Sequence, residues 1–151
     1  MKDFKSWKRL TAKPVHIPDN VSWLCVGAQP HEYANPHRSD GPRNWSSWIH
    51  VYVNPKAEGA IASKNKTIDF PEGSILVKTK FPEPGGSKIE LMTVMIKGAK
   101  GSRPKTKDWQ FLVMNGNGTS IVEDKRINHC WTCHKGQAAK GYAFLEYKDK
   151  K

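Results

Sequence analysis

Cys130-Trp131-Thr132-Cys133-His134 places two thiols and an imidazole within five consecutive residues. Two thiols separated by two residues lie on one turn of backbone. They can reach the two vinyl groups along one edge of a porphyrin. The imidazole of the next residue then falls beneath the iron as its proximal ligand. Cys-x-x-Cys-His is the attachment pattern of c-type haem. It predicts one covalent haem c per chain, with Cys130 and Cys133 as attachment residues and His134 on the iron. Two other chemistries use a Cys-x-x-Cys pair. Half of a structural zinc site would need a second matching pair of ligands. The one other cysteine, Cys25, stands alone in Trp23-Leu24-Cys25-Val26, and the remaining histidines show no ligand spacing. A redox dithiol would sit beside a βαβ pattern, which the sequence does not carry. Cys25 itself reads as a buried small hydrophobe.

The sixth position of the iron decides what such a haem does. Met92, Met95 and Met114 are available, and a methionine there would make an electron carrier. Each lies inside an apolar run, where methionine is more often a core filler. Small electron-transfer cytochromes are typically helical with the motif near the N-terminus. Here the motif follows a β-rich body.

The elements that must position the motif are mainly antiparallel β strands with a few short helices, an α+β class, with the haem packed against the sheet. Strands are expected at Ser22–Val26, Trp48–Val53, Ser74–Phe81, Ile89–Lys97 and Trp109–Met114. Each is rich in β-branched or aromatic residues and bounded by Gly, Pro, Asn or Asp. Gln29 to Arg43 reads as a long loop. Pro82 to Gly86 and Asn115 to Gly118 read as turns, and Gly101 to Asp108 as a basic connection. Pro55 to Ser63 predicts a short helix, and Glu123 to Ala139 another. Period-2 reading puts Ile75, Val77, Thr79 and Phe81 on one face and Leu76, Lys78 and Lys80 on the other. Ile49, Val51 and Val53 share a face opposite His50. Ile89, Leu91, Thr93 and Met95 oppose Glu90, Met92, Val94 and Ile96, and both faces are largely apolar, so this strand is expected to be central and covered on both sides.

The chain has 151 residues, enough for one domain over 1–151. The formal charge is +11, spread along the chain. No compact basic arm appears, so charge alone speaks for nucleic acid, and none is expected as a partner. A lysine-rich surface suits an acidic redox partner or an anionic membrane surface. No apolar run is long enough to span a bilayer. The first residues, Met1 to Arg9, have no apolar core of a secretory signal. Covalent haem attachment normally occurs outside the cytoplasm. A periplasmic protein whose signal has been removed is therefore expected.

Several segments carry a family resemblance in order along nearly the whole chain. They are Trp23 to Gln29, Val51-Tyr52-Val53-Asn54-Pro55, Phe70-Pro71-Glu72-Gly73-Ser74-Ile75-Leu76-Val77-Lys78, Asp108-Trp109-Gln110-Phe111 and the Cys130 to His134 motif. Together they resemble the cytochrome P-460 family, which includes the related cytochrome c-prime-beta proteins. The resemblance implies a mainly antiparallel β fold, a homodimer and one five-coordinate haem per chain. In the hydroxylamine-oxidising members a lysine forms an extra covalent bond to the porphyrin, and Lys78 falls at that place. From the residues alone, Lys78 reads as a solvated lysine beside Lys80. The enzymes also carry a distal glutamate that accepts substrate protons. Thr93 stands at that position here. A threonine can hydrogen-bond a ligand but is no base near neutral pH.

Three functions follow. The first is a haem oxidoreductase acting on hydroxylamine, with Lys78 crosslinked and Thr93 in the distal pocket. The second is a non-enzymatic protein that binds nitric oxide or carbon monoxide. The third is a simple electron carrier. The ligand in the first two is a small nitrogen oxide or gas.

Overall fold

The computed structural model describes residues 3–17, 47–63, 65–123 and 127–147. The expected strand Ser22–Val26, with Cys25, and the loop Gln29–Arg43 lie outside the described residues. Among the described residues, seven strands form one antiparallel sheet. In chain order they are β1 (Lys8–Arg9), β2 (Val15–Ile17), β3 (Ser47–Val53), β4 (Ile75–Phe81), β5 (Leu91–Lys97), β6 (Trp109–Asn115) and β7 (Ile121–Glu123). Two α-helices accompany them, α1 (Pro55–Ala62) and α2 (Ile127–His134). The order across the sheet is β1-β3-β4-β5-β6-β7, and β2 also pairs with β3. The mainly antiparallel β class with short helices is therefore what the chain adopts.

The four long strands follow the alternation of their sequences. Cross-strand register puts Val53, Leu76, Met95 and Phe111 in one row. These residues, with Trp109, Phe70, Ala57 and Ala143, form a buried cluster beneath both helices. On the opposite face Val77, Met92 and Val94 are buried with Phe4 of the N-terminal segment. β5 is thus central and apolar on both faces, as its sequence predicted. Each large apolar side chain buried this way contributes about 1.5–3 kcal/mol.

β1 and β2 are too short to be legible as period-2 patterns. They lie end to end along the free edge of β3. The chain between them stays attached through Leu10 N–H, which donates to Val51 O at 2.8 Å. Thr11 Oγ1 then accepts from Val51 N–H at 3.3 Å and is hydrogen-bonded to His50 Nδ1 at 2.9 Å. His50 is held below the ordinary histidine range by burial and then by the charge of Arg9. It lies on the face away from Val51, as expected for a packing residue.

The expected helix from Glu123 to Ala139 needs correction. Glu123 ends β7, and α2 begins only at Ile127. After His134 the chain tightens into a 3-10 run, Lys135–Lys140, kinked at Gln137. The weak apolar periodicity of this stretch gave no sign of a strand end. β5 also starts later than expected. Ile89 and Glu90 belong to the preceding turn, and the Glu90 carboxylate lies 3.7 Å from Lys80 Nζ.

One side chain ties two of the resemblance segments together. Asn54 caps α1, its Oδ1 accepting from Ala57 N–H at 3.1 Å and from Ile75 N–H at 3.0 Å. Its Nδ2 donates to Gly73 O at 2.8 Å. The Val51 to Pro55 segment is thereby locked to the Pro71 to Ser74 turn that feeds β4. Replacing Asn54 with Ala removes a helix cap and the side-chain partner of two further half-buried backbone groups. We expect Asn54→Ala to lose roughly 2–4 kcal/mol in urea unfolding. A change below about 0.5 kcal/mol would show that the turn holds without it.

Candidate functional site

α2 carries the sequence motif. Residues three and four apart share one helix face, so Cys130, Cys133 and His134 project to the same side. Cys130 is half-buried and Cys133 is exposed, and no disulfide joins them. Cys130 and Trp131 pack against the cluster formed by Trp109, Phe111 and Met95. The motif therefore lies on the same sheet face as both helices.

The segment after the motif returns to fix the imidazole. Gly141 and Tyr142 are both left-handed, at φ 62° and 67°. Gly141 has no alternative, since a Cβ there would lie 2.5 Å from Phe70 Cδ2. Its carbonyl accepts from the indole N–H of fully buried Trp109 at 3.0 Å. Trp109 is held in turn edge-on to Phe70, with centroids 5.4 Å apart. The left-handed Tyr142, whose ring packs on Trp131 at 5.2 Å, turns its own carbonyl onto His134. The His134 Nδ1 to Tyr142 O distance is 2.7 Å. A left-handed tyrosine costs roughly 1–3 kcal/mol, so the surrounding contacts must over-determine it.

Phe111 and Phe144 flank the imidazole, with ring centroids 5.1 and 5.0 Å away. Burial pushes His134 down to about 4; the Tyr142 carbonyl opposes this, and the charge of Lys78 adds to it. At neutral pH the ring is uncharged. With Nδ1–H donated to Tyr142 O, the lone pair is on Nε2, where a metal can bind.

Lys78 reaches this imidazole by charge because both belong to one face. Cross-strand register places Val51, Lys78, Thr93 and Val113 in a single row across β3, β4, β5 and β6. Lys78 and Thr93 are direct partners in that row, and both are half-buried. Val51 of β3 and Val113 of β6 are buried beside them, an apolar residue on each side of the pair. Glu123 extends the row in backbone register with Val113. The sequence reading had assigned Glu123 to a helix and so missed its place.

The same register sorts the methionines. Met92 and Met114 pair with each other on the opposite face, packed around Val77 and Val94. They cannot meet a group bound by His134. Met95 shares the face of the motif but is buried in the cluster with Trp109 and Phe111. Among the described residues no group of three or more His, Cys, Asp or Glu is arranged for a metal ion, so a zinc reading of Cys130 and Cys133 gains no support there.

These residues fit a haem on the chemistry of the donor set. Two cysteine sulfurs outside any disulfide and one imidazole whose Nδ1 is bonded to Tyr142 O lie on one helix face. Phe144 stays 40% exposed beside that imidazole, an aromatic surface suited to cover by a flat apolar ring. The sequence reading named Cys130, Cys133, His134, Lys78 and Thr93, and the fold brings them to one side of the sheet. It missed Trp109, Gly141 and Tyr142 as the support for His134. The available signal was a Gly-Tyr step close behind the motif, where helix ends favour left-handed backbone. Beyond the molecule itself, a family model for Cytochrome P460 matches residues 2–145. No curated protein matches the chain.

The depressed pKa of His134 has a stability consequence for the haem-free protein. Between about 4 and 6.5 the unfolded chain binds the proton and the folded chain does not. Stability is therefore fully present above pH 6.5 and falls as the pH drops toward 4, by about 3 kcal/mol in all. Urea midpoints of haem-free wild type and His134→Gln across this range measure the effect. The wild type should lose stability more steeply on acidification, and parallel curves would contradict the assignment.

Proposed function

The chain belongs to the cytochrome P460 family, and on that premise we propose that it is a periplasmic mono-haem c-type protein with five-coordinate iron. Family membership makes haem its cofactor. The observation that carries the finer reading is the hydrogen bond from His134 Nδ1 to Tyr142 O. It leaves one nitrogen for the iron and fixes the plane of the ring. Cys130 and Cys133 would add their S–H groups across the two vinyl groups, giving two thioethers on the side of α2 that carries His134. When bound, the haem supplies an iron with an open sixth position for a small nitrogen oxide or gas.

The chain's own residues shape that position. Val51 and Val113 exclude water from the sheet side. Thr93 can donate or accept one hydrogen bond to a bound ligand but cannot carry off its protons near neutral pH. Lys78, its cross-strand partner, supplies a positive charge or, in the hydroxylamine-oxidising members, the extra porphyrin bond. Turnover of hydroxylamine is the first reading because the family resemblance puts Lys78 at the position of the crosslinking lysine. Reversible binding of nitric oxide or carbon monoxide is the second. It is favoured by Thr93 in place of an acid and by the valines beside it. Met92 and Met114 lie on the far face, and this weighs against a methionine-ligated electron carrier. A homodimer is part of the proposal through the family alone.

No helix of the described residues is long and apolar enough to cross a membrane. Covalent haem attachment then calls for export, and expression with the haem-ligating apparatus of the periplasm is the setting for the test. The ferrous absorption spectrum of wild type should be high-spin. A red-shifted Soret band that Lys78→Ala abolishes, with haem still attached, identifies the crosslinked enzyme. An ordinary high-spin band unchanged in Lys78→Ala identifies the gas-binding protein. Low-spin spectra in both oxidation states would overturn both.

A further inference from the structure

We infer that the β5–β6 connection, Gly98 to Asp108, is a docking surface for an acidic one-electron carrier protein, a partner assignment that rests on the haem reading above. Lys100, Arg103, Lys105 and Lys107 bring four cations to this short stretch, with Lys97 at the end of β5 just before it, against one acid, Asp108. All but Lys97 are exposed. Two lysines outside the loop meet carboxylates, Lys80 with Glu90 and Lys140 with Glu146. Asp108 instead turns its carboxylate into the loop, where Oδ1 accepts from Arg103 N–H at 2.9 Å. Backbone N–H groups of Arg103 and then Gly101 hold its pKa low, so the carboxylate is ionised yet committed to the loop backbone. The charge presented outward is cationic.

The loop is built stiff as well as basic. Gly98 N–H donates to Asp108 O at 2.8 Å, and Asp108 N–H to Arg103 O at 2.9 Å. Lys107 and Asp108 are consecutive left-handed residues, at φ 52° and 65°. Neither is glycine, so the loop holds backbone strain that a plain connection between antiparallel strands does not require. A preformed surface loses little conformational freedom on binding, which favours brief, specific encounters. Its size suits the small interfaces of transient redox complexes.

Its position selects a redox partner over other acidic proteins. Thr106 Oγ1 donates to Trp109 O at 2.6 Å. Lys97 Nζ donates to Lys107 O at 2.9 Å and stands 5.4 Å over the Trp109 ring. Trp109 leads by its indole N–H to Gly141 O, and the next carbonyl holds His134. A partner on the loop lies at the outer end of this bonded string. With haem bound, one electron would pass from the ferrous iron to the partner's oxidised metal, leaving the iron ferric and the partner reduced. No bond forms or breaks.

The test uses the haem-loaded protein and an acidic blue-copper protein in its oxidised form as the probe. Lys100→Glu with Lys105→Glu is compared with Lys5→Glu with Lys13→Glu, which changes net charge equally at exposed sites on the N-terminal segment. Affinity is read by surface plasmon resonance at low and high salt, and electron transfer by stopped flow. The loop variant should bind about tenfold more weakly at low salt and lose most of its salt dependence, with the transfer rate falling in step. The control should change less than about threefold. Equal losses in both variants would mean that net charge alone attracts the probe, and would overturn the assignment. So would a loop variant that binds the copper protein normally but releases vesicles of anionic lipid. Haem staining of the same samples reports separately on the haem reading, because the affinity measurement needs no haem.

Discussion

His134 is useful as a ligand only if one ring nitrogen is occupied and the other is left free. The 2.7 Å contact between its Nδ1 and Tyr142 O meets that requirement. A single hydrogen bond to a backbone carbonyl is worth about 0.5–1.5 kcal/mol in net stability. It cannot hold a left-handed tyrosine unaided. The rest comes from Trp109, whose indole grips Gly141 O, and from Phe70, against which Gly141 closes without room for a side chain. Trp109 and Phe70 are core residues, so the orientation of the ligand is set by the packing of the domain. Function and folding meet in that packing, because loosening the core beneath Trp109 frees the imidazole above it.

The opposite side of the arrangement is set by strand register. Val51, Lys78, Thr93 and Val113 come from four strands and align only because every pairing is antiparallel and in step. A slip of one residue in β4 would turn Lys78 to the far face and bring Val77 or Thr79 in its place. Asn54 guards against that slip. By gripping Gly73 O and Ile75 N–H it fixes where β4 begins relative to β3. The Pro-Glu-Gly-Ser turn and the Asn-Pro helix start are therefore parts of one register device.

Much of this was legible in the sequence. The alternation assigned both faces correctly within Ile75 to Phe81 and Leu91 to Lys97, where period 2 runs long enough to rise above chance. It failed at Ile89, which precedes the strand and packs with Val77, Met92 and Val94 on the other face. The side-by-side placement of Lys78 and Thr93 needed the pairing of two strands, which alternation within one strand does not carry. β1, β2 and β7 have two or three residues each, too few for any period. The end of the expected C-terminal helix failed for a related reason. Asp124, directly after Glu123, is a residue type that favours helix starts, but β-branched Ile121 and Val122 form too short a run before it to announce a strand end. The support of His134 by Tyr142 is a tertiary fact, visible only when Gly141 is seen pressed onto Phe70.

Everything in this account depends on two sulfurs being spent on porphyrin. The direct measurement is the intact mass of the protein after acid denaturation and treatment with a thiol alkylating agent. The account predicts a chain heavier by one haem, with Cys130 and Cys133 inert to the reagent. A bare chain mass with both of these thiols alkylated, from cells able to attach haem, would contradict it.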